Sequence, residues 1–267
     1  MRRIACATIL IAVFAALLPV REAEAKYCPR VLYRATRLVV VTVPNMQATG
    51  ASVRTFERKS PAAPWETRSD PEPAVVGGNG IAWGDIYESL AKKGEPLKRE
   101  GDQRAPAGIY RISATSGAEP SKLPGYLPLV PTKQLCVADT NSRYEGKTVP
   151  QSFAGENTNG ENMAKFSPYR RGLVIDAAPR LKAQGGACIF LDVRGHFDAG
   201  TDARIALPKE WVDYLQEWAA HRFAAIAIVS EDTVDRYKGC LPPSDTATDN
   251  GVSVPLPVRK SAAKQAS

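Results

Sequence analysis

The strongest constraint on this chain is a succession of short β-branched or apolar segments, each closed by Gly, Pro or Asn. "RLVVVTVP" (Arg37–Pro44) is one, ended by a proline that cannot donate to a ladder. "SVRTFER" (Ser52–Arg58) alternates weakly, and "NMQATGA" between the two reads as a turn. Further strands are expected at Ala74–Val76, Gly108–Ile112, Gln134–Ala138, Gly172–Ala177, Ala187–Val193 and Ala224–Ser230. Helical spacing is clear after Pro208, where "KEWVDYLQEWAAHRFAA" puts Trp211, Val212, Leu215, Trp218 and Ala219 on one face, with Phe223 near the same spacing. Those aromatics are expected in the core, and His221, off that face, in solvent. "GDIYESLAK" (Gly84–Lys92) reads as a second, short helix. The stretch from Asn141 to Ser167 has little periodicity and is expected to be an extended surface loop, a candidate lid. The expected fold is mostly β with one or two helices.

The two ends differ from the middle. "MRRIACATILIAVFAALLPVREAEA" has a basic start, an apolar run from Ile4 to Leu18 and a small-x-small end at Ala23-Glu24-Ala25. This is the pattern of a secretory signal peptide over residues 1–25, and its apolar run is short of the roughly 20 residues a spanning helix needs. From Leu241 the chain is rich in Pro, Ser, Thr, Ala and Lys with no apolar face, so 241–267 is expected to be a disordered tail. The foldable part, 26–240, is long enough for one domain with a proper core.

Charge and cysteines narrow the setting. The formal net charge is +7 and stays positive after residues 1–25 are removed. It is spread along the chain with no Lys/Arg stripe interleaved with aromatics, which argues against nucleic acid. An exported basic protein more readily meets an anionic envelope polymer or surface. Four cysteines follow the signal: Cys28, Cys136, Cys188 and Cys240. Two disulfides are expected, Cys28 with Cys240 because both lie at the edges of the foldable region, and then Cys136 with Cys188. The alternative is four buried thiols packed as small hydrophobes. No C-x-x-C or Cys/His cluster points to zinc, and no cofactor is implied.

Two glycine-bearing stretches are candidates for chemistry. "GGNGIAWG" (Gly77–Gly84) is not a dinucleotide loop, because Gly84 falls one residue late and no long helix follows. Its glycines are expected to permit turns with positive φ beside a strand. "CIFLDVRGHFDAGTDARIALPKEW" (Cys188–Trp211) begins as a buried strand and then turns polar, with Asp192, His196, Asp198, Asp202 and Arg204. A strand ending in such a loop often presents a site.

Three segments in order then carry a resemblance. "PLKREGDQRAPAGIYRI" (Pro96–Ile112) matches K-x-E-G-D-x-x-T-P-x-G-x-[FY] at Lys98, Glu100, Gly101, Asp102, Pro106, Gly108 and Tyr110, with Ala105 in the Thr position. "LPGYLPLVPTKQLCVADTNSRYEG" (Leu123–Gly146) and "YRRGLVIDAAPRLKAQGGACIFLDV" (Tyr169–Val193) follow. In that order they resemble the L,D-transpeptidase catalytic domain, the YkuD-like family, in its Gram-negative periplasmic branch. The resemblance implies a mostly-β, sandwich-like domain in the periplasm or secreted, acting on peptidoglycan stem peptides. It also implies a cysteine thiolate as nucleophile and a histidine as base.

Both groups are replaced here. The family's I-F-L-H strand reads Ile189-Phe190-Leu191-Asp192, and its T-A-G-C-[TV]-A-[ML] reads Thr201-Asp202-Ala203-Arg204-Ile205-Ala206-Leu207. Asp192 stands at the base position and Arg204 at the nucleophile position. The resemblance therefore implies a protein that keeps the peptidoglycan-binding shape without cysteine-based transpeptidation, with Arg204, Asp192, Thr201 and His196 as candidate binding residues. The exchanged charges are expected to meet as an ion pair. An active L,D-transpeptidase or L,D-carboxypeptidase with a rebuilt site stays open. Thr201 would then be the nucleophile through a shifted A-G-T alignment, or Cys188 with His196 as base. A hard-metal site at Asp192, Asp198 and Asp202 is disfavoured by Arg204 beside it.

Overall fold

The β-branched run at Arg37–Val43 becomes β1, and its partners decide the architecture. In the computed structural model, residues 28–129, 134–137, 148–150, 160–162, 171–177, 189–195, 200–237 and 239–243 are described. After β1 come β2 (Gly50–Glu57), β3 (Glu66–Thr67), β4 (Glu72–Val75), β5 (Ile81–Trp83) and the long β6 (Ala105–Gly117). Then follow β7 (Leu127–Pro128), β8 (Gln134–Val137), β9 (Thr148–Pro150), β10 (Gly160–Asn162), β11 (Arg171–Asp176), β12 (Ile189–Val193) and β13 (Ile205–Leu207). Helix α1 (Lys209–Ala220) and β14 (Ala224–Ser230) complete the main elements.

The large sheet runs β1-β14-β6-β11-β12-β13-β4-β2, and β2 pairs back to β1, so the described strands close into a barrel-like ring. The fold is mostly β, as expected. Closure removes free edges, which a sheet this large must otherwise protect. Strand β14 shows the consequence. It lies parallel to β1 and antiparallel to β6, and all seven residues of "AAIAIVS" are buried. A strand flanked and covered on both sides reads as a continuous apolar run.

Helix α1 follows Pro208 and buries Trp211, Val212, Leu215, Trp218 and Ala219 against β6, β11 and β12, while His221 at its C-cap is exposed. Each such large side chain contributes roughly 1.5–3 kcal/mol through burial. Gln216 is also buried, and its Nε2 donates to the carbonyls of Ser116 (2.7 Å) and Gly172 (2.8 Å), pinning the helix to β6 and β11. Nothing in the apolar spacing marks that residue.

Several expectations need correction. The segment Asn141–Ser167 contains β9 and β10, which pair with β8 in a separate three-stranded sheet; three-residue strands leave too little periodicity to be read. Strands β5 and β13 escape the sequence patterns for the same reason. The Gly84–Lys92 segment is a 3-10 helix at Asp85–Leu90, capped by no side chain. Strand β6 extends well beyond Gly108–Ile112 because β11 and β7 supply partners to Gly117.

Cys28 and Cys240 form the expected disulfide, with a Cα–Cα distance of 5.4 Å across 212 residues. Cys136 is also disulfide-bonded; its expected partner Cys188 lies outside the described residues. The expected signal peptide, 1–25, and the expected tail beyond Pro243 lie outside them too. Among the described residues no helix is long and apolar enough to cross a membrane.

Candidate functional site

Strand alternation places the first candidate residue. Ile189 and Leu191 of β12 join the main core, so Phe190 and Asp192 point to the opposite face. Phe190 packs there with Leu129 and Cys136. Asp192 is paired with Gly172 on β11 and Ala206 on β13, neighbours with little or no side chain. A Cβ built at Gly172 would lie 2.9 Å from the Leu191 carbonyl and 3.5 Å from Asp192 Cβ. The row is thus cleared for the one carboxylate, whose side chain is 1% exposed.

The second candidate comes from the loop before β13. Thr201 is held at both backbone polar groups: its N–H donates to Val76 O (2.8 Å) and its carbonyl accepts from Gly78 N (2.7 Å). A Cβ at Gly200 would come 2.5 Å from Gly78 Cα, so the two segments touch at backbone level. The Thr201 hydroxyl then closes the turn, accepting from Arg204 N (2.9 Å) and donating to Arg204 O. Ala203, between them, holds φ at +61°. That left-handed conformation costs an L-residue roughly 1–2 kcal/mol and costs glycine nothing.

The turn aims Arg204 back at β12. Arg204 Nη1 lies 3.5 Å from Asp192 Oδ2, an ion pair of the expected partners, with the arginine side chain 17% exposed. The carboxylate is therefore shut in, and the guanidinium retains a path to solvent.

The Lys98–Tyr110 segment supports this loop from below. Buried Lys98 donates to Asp102 Oδ1 (2.5 Å) and to Arg99 O (2.6 Å). Asp102 also accepts from the N–H groups of Arg99 (2.7 Å) and Arg104 (2.9 Å). Asp102 thereby fixes a turn with Gly101 at φ +74°. The turn delivers Gln103 O to Asn79 N (3.0 Å). Gly77 lies against the same backbone: a Cβ there would meet Gln103 O at 2.3 Å. So Gly80, at φ +85°, serves the expected positive-φ turn, whereas Gly77 is required by close backbone approach. The support runs from Asp102 through Gly77–Gly78 to Thr201 and Arg204. At the end of the segment, a Cβ on Gly108 would strike the Tyr87 ring at 2.3 Å. Burial pushes the Tyr87 phenol up to about 12 and raises that of Tyr110 well above its ordinary value, so both are neutral packing groups.

Asp192, Thr201 and Arg204 are thus brought together. Asp202 is exposed on the turn, while Cys188, His196 and Asp198 lie outside the described residues. Asp192 and Arg204 supply neither thiol nor imidazole, and the Thr201 hydroxyl is engaged in the turn. What the arrangement offers is a guanidinium fork suited to a carboxylate ligand. Among the described residues no group of three His, Cys, Asp or Glu side chains can hold a metal ion.

In class, this is a closed mostly-β domain carrying a buried Asp–Arg pair at the end of a barrel strand. No family model and no curated protein matches the chain. Among solved structures it is similar to the helical cell shape determining protein Pgp2 from Campylobacter jejuni, at 14% identity over 73% of this chain and 49% of that one, with a TM-score of 0.33. The chain spans about half the length of that protein, and a match at this level assigns no family.

Proposed function

We propose that this chain is an exported cell-envelope protein with the L,D-transpeptidase fold, which binds peptidoglycan stem peptides without cysteine-based acyl transfer. The observation that carries this reading is the exchange of groups at two positions of the resembled motif. Asp192 stands where the family has its histidine and Arg204 where it has its cysteine, and the two face each other across 3.5 Å. Thioester chemistry needs a thiolate with a base beside it. A guanidinium stays protonated throughout the physiological range and cannot attack.

The backbone at Ala203 supports the alignment. The family motif places glycine one residue before its cysteine, and Ala203 keeps a glycine-type φ there. Stem peptides carry carboxylates, and Arg204, with its path to solvent, can take one on the outward edge of its guanidinium while it stays beside Asp192. A disulfide linking the ends of the domain suits an oxidising compartment, periplasmic or extracellular, and the positive net charge suits an anionic envelope polymer. No cofactor, nucleic acid or membrane span after signal cleavage enters this reading.

The test combines cosedimentation with purified sacculi, muropeptide release, and intact mass after exposure to a carbapenem, which acylates the family's cysteine. The expected outcome is binding without digestion and without an adduct, with binding reduced in Arg204→Gln. Muropeptide release or a stable adduct would overturn the non-catalytic reading. Failure to bind sacculi would remove peptidoglycan as the partner.

A further inference from the structure

Strands β1 and β2 pair so that Leu38, Val40 and Thr42 stand opposite Phe56, Arg54 and Ser52. Alternation turns these six to one face, away from the fully buried Val39, Val41 and Val53. Helix α1 packs on β6, β11 and β12, and the Val40 face is flanked instead by the segment that follows β14. Three attachments hold that segment: the Cys28–Cys240 disulfide, buried Tyr237, and Arg236, whose Nη1 donates to Glu95 Oε2 (2.6 Å) and Leu90 O (2.6 Å). Between the segment and the strands lies a groove of about 360 Å³, lined by Val40, Thr42, Arg54, Phe56, Leu241 and Pro242 among others.

The chain itself shows what such a groove takes. Leu241 packs half-buried against the core, and Pro242 and Pro243 follow it along the groove wall. Proline has no N–H, so an apolar stretch rich in it leaves few donors unsatisfied against an apolar wall. Residues 244–267 come next. They lack the apolar face of a helix, and their prolines bar them from a central strand. Yet the pattern of leucine beside proline recurs once, in Val254-Pro255-Leu256-Pro257-Val258. In an extended chain Val254, Leu256 and Val258 share one side. Arg259 and Lys260 follow that run, and at the groove Glu231 and Asp235 outnumber Arg54. The ten residues 244–253 between Pro243 and the run can span up to ~33 Å. That exceeds the roughly 23 Å length of a seven-residue strand such as β1. A tether of this length holds the run near the groove at an effective concentration on the order of millimolar.

We propose that residues 254–258 dock back onto this face as an extended, polyproline-type segment. Leu256 enters the groove against Val40 and Phe56, and Arg259 and Lys260 lie at the Glu231 and Asp235 rim. The groove has room for one large side chain with its neighbouring prolines, so the rest of the run lies along the surface. A proline-bearing segment is already extended, which keeps the ordering cost of docking low. The groove shares no side chain with the Asp192–Arg204 site and stands or falls independently of the stem-peptide reading.

The experiment uses the purified full chain, its L256D/V258D variant and a fluorescein-labelled peptide of residues 251–261, with binding read by fluorescence anisotropy. The tethered run should fill the groove in the parent and leave it open in the variant. The peptide should therefore bind L256D/V258D at least tenfold more tightly than the parent. In the L256D/V258D background, Val40→Asp should abolish peptide binding. Glu231→Lys, at an exposed position, should weaken it about threefold with an unchanged melting temperature, which separates lost docking from lost fold. Equal affinity for parent and L256D/V258D, or binding to neither, overturns the proposal. So does peptide binding unchanged in both groove variants. Association of the parent in sedimentation equilibrium that L256D/V258D abolishes would assign the groove to the tail of a second copy, and would overturn docking within one chain.

Discussion

Replacing Arg204 by methionine while Asp192 stays in place should cost the fold about 3 kcal/mol. At the observed 3.5 Å separation, the gross attraction is about 5 kcal/mol at an effective dielectric near 20. Much of that offsets the desolvation of two charges, so the intact pair contributes little net stability. The variant is different, because it leaves a carboxylate that is 1% exposed without its cation. Breaking a buried pair from one side typically costs about 3–5 kcal/mol, and the solvent path beside Arg204 places this case at the lower end. Asp192→Asn should cost only about 1 kcal/mol, since the arginine it releases is 17% exposed and can turn to water. The double variant should then be about 2 kcal/mol less destabilised than the sum of the singles. Urea melts with unchanged slope give all three values. A cost below about 1 kcal/mol for Arg204→Met, or strict additivity of the two singles, would refute the buried-pair account.

Ala203→Gly should stabilise the protein by about 0.5–1 kcal/mol, because relief at φ +61° outweighs the extra chain entropy; a lower melting temperature would contradict this. Glu95 accepts from Trp83 Nε1 (2.8 Å), Lys92 N (2.8 Å) and Arg236, and the Arg236 bond leads in holding its carboxyl at about 2. A depressed carboxyl contributes stability that is full above its ordinary value and lost as pH falls. The gap between parent and Glu95→Gln should therefore be about 2 kcal/mol at pH 7 and close between about pH 5 and 2, as followed by urea melts across pH. A gap that does not change with pH would show that the bonds matter only sterically. Cys28→Ser/Cys240→Ser should lose about 3–5 kcal/mol, since the bridge closes a very long loop; a loss under about 1 kcal/mol would mean that the ends are held by packing alone.

The order and spacing of Asp192, Thr201 and Arg204 are legible in the amino-acid sequence, because a strand-then-loop pattern survives in one dimension. That Asp192 and Arg204 contact each other also requires β12 to turn Phe190 and Asp192 away from the main core, and Thr201 to close the turn that aims the guanidinium. The second is set by Val76 and Gly78, more than a hundred residues away in the chain. The supporting role of Lys98 and Asp102 is hidden in a different way. A motif names residues to keep, but not that this pair holds a turn whose carbonyl reaches Asn79. Gln216 carries no signal at all, because a buried amide in a helix reads as a surface residue until two carbonyls are found beside it.

By itself, the sequence determined what a segment can settle alone. β-Branched runs stopped by proline or glycine make β1 and β14, and 3.6-residue spacing after Pro208 makes α1. These signals rest on steric preferences and on apolar faces that recur within a few residues. Only the tertiary structure decided how the strands close: β1 between β14 and β2, three-residue β13 bridging β12 to β4, and β6 extended to Gly117. The physical reason is that a ladder's hydrogen bonds belong to pairs of segments. A strand's partner, length and exposed face are set by residues far along the chain, and no local pattern records them.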